Sequence, residues 1–126
     1  MITELKENEI FVFGSNLAGL HGGGAARQAF NLFDAQWGIG EGLTGKCYAF
    51  PTLDRKGDKR PEEDLLESIR KFYHCAEENP QKIFLLTKVG CGIAGYQEEY
   101  MRKLFMALEA PKNVTKPESW YSWPFC

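Results

Sequence analysis

No apolar run in this sequence approaches the ~20 residues that a membrane-spanning helix needs. The first nine residues are polar and mixed in charge. They lack the apolar stretch of a signal peptide, so a cytoplasmic protein with no membrane partner is expected. A basic excess is missing too: 15 Lys and Arg stand against 17 Asp and Glu, a net charge of −2. Proteins that grip a phosphate backbone carry surplus positive charge, so nucleic acid is disfavoured as a partner. Cysteine is sparse. Cys47, Cys75, Cys91 and Cys126 form no CxxC pair, and only His21 and His74 accompany them. Neither a zinc site nor a disulfide framework is expected, and the thiols read as reduced, small hydrophobic groups.

What is present fits one domain. The 126 residues are 44% apolar and 25% charged, close to the globular average. Residues 1–126 form one unit, with 110–126 as a tail packing on it, as a monomer or weak homo-oligomer. Glycine is the unusual component. Its 13 copies gather in three clusters, Gly14–Gly24, Gly38–Gly45 and Gly90–Gly95. Clustered glycine marks special backbone conformations or close approach to a ligand.

The hydrophobic pattern alternates strand and helix. Glu9–Gly14 reads as a buried strand, and Ala25 to about Trp37 as a helix stopped by Gly38. Gly38–Gly45 reads as an irregular loop, Lys46–Phe50 as a strand ended by Pro51, and Thr52–Arg60 as a charged loop. Pro61-Glu62-Glu63-Asp64 opens a second helix that ends near Asn79-Pro80. Lys82–Val89 reads as a central strand, Gln97–Leu108 as a helix, and Asn113–Thr115 as a short edge strand. The order predicts an α/β fold: a mostly parallel, mixed sheet with helices on both faces. In such sheets ligands bind at the carboxyl ends of the strands, where two of the glycine clusters fall.

Two glycine loops that each lead into a helix can offer several backbone N–H groups to one anion, and together they suit a diphosphate. Neither Ser15–Ala26 nor Gly90–Tyr96 contains an acid. The anion would then be neutralised by peptide dipoles, with no metal and no cofactor. The same glycines could instead serve tight turns alone. Gly40–Lys46 has P-loop spacing, but Cys47 follows where Ser or Thr is required and a strand follows where a helix is required. It is not read as a P-loop.

Two strings together resemble a known family. Phe13-Gly14-Ser15-Asn16-Leu17 with Gly22-Gly23-Gly24-Ala25-Ala26 is similar to the first ligand loop of macro domains. Val89-Gly90-Cys91-Gly92-Ile93-Ala94-Gly95-Tyr96 resembles their second, diphosphate-embracing loop. The resemblance spans about Ile10–Leu108 and looks closest to small, divergent bacterial and phage members. It implies a minimal three-layer sandwich that binds ADP-ribose or a related nucleotide. Some members hydrolyse ADP-ribosyl or terminal phosphate bonds and others only bind. By this resemblance Asn16 approaches the distal ribose and carries any hydrolysis. Gly14, Ser15 and Gly22–Gly24 line the ribose and phosphate. Gly90, Cys91, Gly92, Ile93, Ala94 and Gly95 wrap the diphosphate, and Tyr96 packs near it. The chain departs from one hydrolase branch at Ala94, where that branch has aspartate, and only Lys56 loosely fills the place of its lysine.

Single residues admit two readings. His21, inside the first glycine loop, is a candidate general acid or base, or a residue that fixes the turn. Asp54 and Lys56 are crevice-side charges or merely solvated. Cys91 lies between glycines before a helix, where a thiol can be activated, and packing is the other reading. Gln97-Glu98-Glu99 reads as first-turn acids that stabilise a helix start. Trp120, Trp123 and Phe125 close the core or cover a ligand or partner. Besides ADP-ribose binding, two functions stay open: a non-enzymatic interaction module, and a small enzyme acting on another nucleotide.

Overall fold

A computed structural model describes residues 2–121. Trp123, Phe125 and Cys126 of the tail lie outside the described residues. Nine elements follow in order among them: β1 (Glu9–Asn16), α1 (Gly24–Leu32), β2 (Gly42–Thr44), β3 (Cys47–Leu53), α2 (Glu62–Glu78), β4 (Ile83–Leu86), α3 (Glu98–Met106), β5 (Val114–Thr115) and α4 (Glu118–Tyr121). The protein is α/β with a five-stranded sheet in the order β2-β3-β1-β4-β5. β1 pairs in parallel with β3 and β4, β4 in parallel with β5, and only β2 runs antiparallel, against β3.

The central strand is β1. Its run Ile10-Phe11-Val12-Phe13 is buried throughout. Alternate side chains enter different clusters. Ile10 and Val12 join Phe50, Phe72, Phe84, Phe105 and Trp120. Phe11 and Phe13 join Ala26, Ala29, Phe33 and Cys47. A strand that buries side chains of both parities reads as a continuous apolar run, which is why it was visible in the sequence. The larger cluster is aromatic, with Phe72 lying 5.0 Å from Tyr48 and 5.9 Å from Phe84 between ring centroids.

Several boundaries differ from the sequence reading. The first helix ends at Leu32, well before Trp37. Asp34 takes a left-handed φ of 64°, the only described non-glycine residue to do so, and the Ala35 amide turns back to the Ala29 carbonyl at 3.2 Å. Asp is one of the few residues that tolerates this region, so it can end a helix as glycine does. Gly42–Thr44 is a strand, contrary to the loop expected there. Gly45, at φ 58°, makes the hairpin turn into β3. A glycine at the first position of a two-residue turn is the signal that identifies it. Pro51 does not end β3, which runs on to Leu53. β2 reaches only as far as Gly42 opposite Ala49, so Pro51 owes no N–H to a neighbour on that side. The Pro51 carbonyl there accepts a 2.7 Å hydrogen bond from Arg60. The strand expected over Lys82–Val89 is shorter and lies second from the edge.

α2 starts behind Pro61 with three acids in its first turn and ends at Glu78, as its sequence indicated. The unexpected element is α4. Its Trp120 is 0% exposed and its ring packs 5.8 Å from Phe105. No helix among the described residues is long and apolar enough to cross a membrane.

Candidate functional site

The chain leaves β1 for α1 and reaches β3 on one side, then returns through α2 to β4 on the other. The connections therefore diverge at the carboxyl end of β1, the place where open α/β sheets form ligand crevices. A cleft of about 610 Å³ lies there. Its floor is Gly14–Asn16 from β1, Thr52 and Leu53 from β3, and Thr87–Gly90 beyond β4. Its walls are Leu20 and Gly22–Ala26 on one side and Gly92, Ile93 and Ala94 on the other. The volume suits a small-molecule ligand.

Glycine permits the two loops to close on the floor and on each other. A Cβ on Gly14 would stand 3.1 Å from the Gly90 nitrogen. Ile93 reaches across, so that a Cβ on Gly23 would lie 3.2 Å from its Cδ1. The Gly38–Gly45 cluster has a different use. A Cβ on Gly40 would fall 2.3 Å from the Asn16 carbonyl oxygen, and the Gly38 amide donates to the Gly19 carbonyl at 2.8 Å. The Ser15 hydroxyl also donates to the Gly40 carbonyl. These glycines support the first loop from behind and do not line the cleft.

Asn16 lines the cleft and also holds the first loop in shape. Its side-chain amide donates to the Leu20 carbonyl at 2.9 Å and accepts from the Leu20 amide at 3.1 Å. Such local side-chain bonds are the usual work of asparagine in turns.

α1 begins uncapped. Gly23 occupies the cap position, no side chain bonds the first amides, and the first turn has no acid. Among the described residues, no acceptor meets the amides of Gly24, Ala25 and Ala26, nor those of Gly92, Ile93 and Ala94. Amides without a protein partner in two loops that line one cleft are open donors, and an anion can take them in place of water. Among the described residues, Asp and Glu are absent from the lining, and Lys88 is its one charged residue.

The structure does not bring every expected residue into the cleft. His21 is 1% exposed and lies behind the first loop, against Phe13 at 5.4 Å and Trp37 at 5.8 Å. Its Nε2 donates to the Gln36 carbonyl at 2.8 Å, and its Nδ1 is buried with no partner among the described residues. Cys91 turns from the cleft and packs against the larger core cluster. Burial first, and the Glu98 charge second, push its thiol up, so a nucleophilic thiolate is disfavoured.

Gly95 and Tyr96 face a second, shallower hollow with Lys59, Arg60, Gln97 and Tyr100. Gln97, the cap residue of α3, lines this hollow and not the cleft, so of the two expected helix ends only that of α1 contributes to the cleft lining. Asp54 forms a turn: the Asp58 and Lys56 amides donate to its carboxylate at 2.9 and 2.8 Å. The Asp58 amide leads in holding its carboxyl below the ordinary value. Lys56 is exposed and does not line the cleft.

Leu20, Thr52, Leu53, Thr87 and Lys88 line the cleft and were not singled out in the sequence. Thr87 bonds the Val12 carbonyl through its hydroxyl at 2.7 Å, which bends the chain off β4 into the second loop. Nothing marks such residues in the sequence except their place directly after a strand. Among the described residues, no three His, Cys, Asp or Glu side chains are grouped as metal ligands would be. Compared with protein-family models, curated proteins and solved structures, the chain matches none.

Proposed function

We propose that this protein binds ADP-ribose or a related nucleotide diphosphate in the cleft at the carboxyl end of β1. The diphosphate lies between the start of α1 and the Gly92–Ala94 segment. The fold is then a minimal macro-domain-like sandwich, with α1 on one sheet face and α2 and α3 on the other. The separate clusters entered by Ile10 and Val12 and by Phe11 and Phe13 support that arrangement.

One observation carries the reading. Among the described residues, an uncapped helix start and a second set of unpartnered amides line a cleft with no carboxylate. Backbone N–H groups and a helix end stabilise negative charge without a cation. Asn16 acts in this reading by shaping the loop beside the ribose. His21 acts as a buried support for the same loop, because it does not reach the cleft.

Titration calorimetry with ADP-ribose, AMP and NAD tests the reading on wild type and on Gly92→Glu. A Cβ on Gly92 meets nothing within 4 Å, so the variant is expected to fold. Its carboxylate beside the amides is expected to abolish ADP-ribose binding. A folded Gly92→Glu that binds as wild type does would place the ligand elsewhere.

A further inference from the structure

We infer that Lys88 is the side chain that reads the charge of the ligand, and that Glu98 competes with the ligand for it. This rests on the binding reading above and assigns a specificity residue and its counter-ion to the same site.

Among the described residues, Lys88 is the only charged one that lines the cleft. Its Nζ lies 3.3 Å from Glu98 Oε1. Glu98 is the first residue of α3 and is not part of the cleft lining. Lys88 thus belongs to the cleft lining while its ammonium pairs with an acid outside it.

The pair is built so that one partner can leave. The other Glu98 oxygen, Oε2, accepts from the Ser119 hydroxyl at 3.0 Å and from Trp120 Nε1 at 3.1 Å. Trp120 is fixed in the core, so its N–H is a fixed donor. Partial burial acts to raise the Glu98 carboxyl, but Ser119, Lys88 and Trp120 outweigh it and hold the group below the ordinary value. When Lys88 departs, Glu98 keeps two donors and is not left bare. The Lys88 and Glu98 side chains are 49% and 28% exposed, so the ion pair is weak and breaks at little cost. A phosphate group already held by several amides offers Lys88 a stronger, charge-assisted partner.

Two consequences follow. A ligand with a negative group at the loops is preferred over its neutral fragment. The C-terminal turn α4, through Trp120 and Ser119, tunes the cleft by holding Glu98 where it opposes the ligand.

The test is calorimetric titration of ADP-ribose into wild type, Lys88→Gln and Glu98→Gln, at low and high salt. Both residues are at least partly exposed, and Gln at position 98 still accepts from Ser119 and Trp120. Thermal unfolding checks that each variant folds. Lys88→Gln is expected to weaken binding about tenfold or more and to flatten its salt dependence. Glu98→Gln is expected to tighten binding roughly threefold, because one like charge is removed. Wild-type binding with an unaltered Lys88→Gln would overturn the inference and leave the binding reading intact. Weaker binding by Glu98→Gln would overturn the competition and make Glu98 a positioning residue. If wild type binds no ADP-ribose, the binding reading falls, and this inference falls with it.

Discussion

The Tyr96 hydroxyl lies 2.8 Å from the Thr52 carbonyl oxygen and ties the end of the second glycine loop to the end of β3. The Tyr96 hydroxyl oxygen in turn accepts from the Arg60 amide at 2.9 Å. The ring stacks on Tyr100 with planes 4° apart, and it sits where a Cβ on Gly90 would come within 2.9 Å of it. Gly90, at φ 79°, is thereby held by Tyr96 from outside the cleft. Burial pushes the Tyr96 phenol up, so it remains a donor at neutral pH.

Removing that hydroxyl should therefore act at a distance. Tyr96→Phe leaves the buried Thr52 carbonyl without its donor, at a cost of about 1–3 kcal/mol. We expect thermal unfolding to shift down by several degrees and ADP-ribose affinity to fall as the loop loosens. Unchanged melting together with unchanged affinity would show that the tie is not what holds the loop.

The open start of α1 sets stability against binding. Gly23 has φ −158°, an extended conformation open to any residue, and only the flexible end of Ile93 is near. Gly23→Asp would bond the first amides of α1 itself and place a negative charge at the helix start. We expect a gain of about half a kcal/mol in stability. We also expect ADP-ribose binding to be lost, since the carboxylate occupies the anion's place. Urea unfolding and calorimetry on one preparation check both. A stabilised variant that still binds would remove the α1 amides from the site.

Alkaline stability should depend on Cys47. Burial, and then the charge of Asp34, push its thiol from 9.0 up to about 12. The folded state thus holds the proton more tightly than the unfolded state. The contribution is fully present below pH 9.0 and is lost as pH rises towards about 12. Burial pushes Tyr48 and Tyr73 up as well, with the same sign. Cys47→Ala should be less stable than wild type at about pH 7.5, with the gap narrowing by about pH 10.5. Urea unfolding at both values measures it. A gap that widens with pH would contradict the assigned direction.

Much of the scaffold could be read from residue order because the relevant signals are local. Ile10–Phe13 is a strand buried on both sides, Pro61–Asp64 is a helix start, and Asn113–Thr115 is near an edge strand at Val114–Thr115. Two of the glycine clusters lie at the carboxyl end of the sheet, as their order after the strands indicates, because a glycine after a strand marks a turn that closes over the carboxyl edge. The errors arose where tertiary contact overrides local preference. Asp34 ended a helix whose apolar spacing ran on to Trp37. Pro51 stayed in β3 because its missing N–H faces no strand.

Residue order alone places two glycine loops without an acid after β1 and β4, at the end of the sheet where the cleft lies. Only the tertiary structure decided which residues face it. His21 shares the first loop with Asn16, yet it turns to Phe13 and the Gln36 carbonyl. Tyr96 shares the second loop with Ile93, yet it turns to Thr52. Lys88 and Glu98 meet across a 10-residue interval, and Glu98 meets Trp120 across 22. A side chain's direction within a loop depends on the φ and ψ of each glycine and on the distant groups it can reach. No period in the sequence encodes either, so packing had to choose.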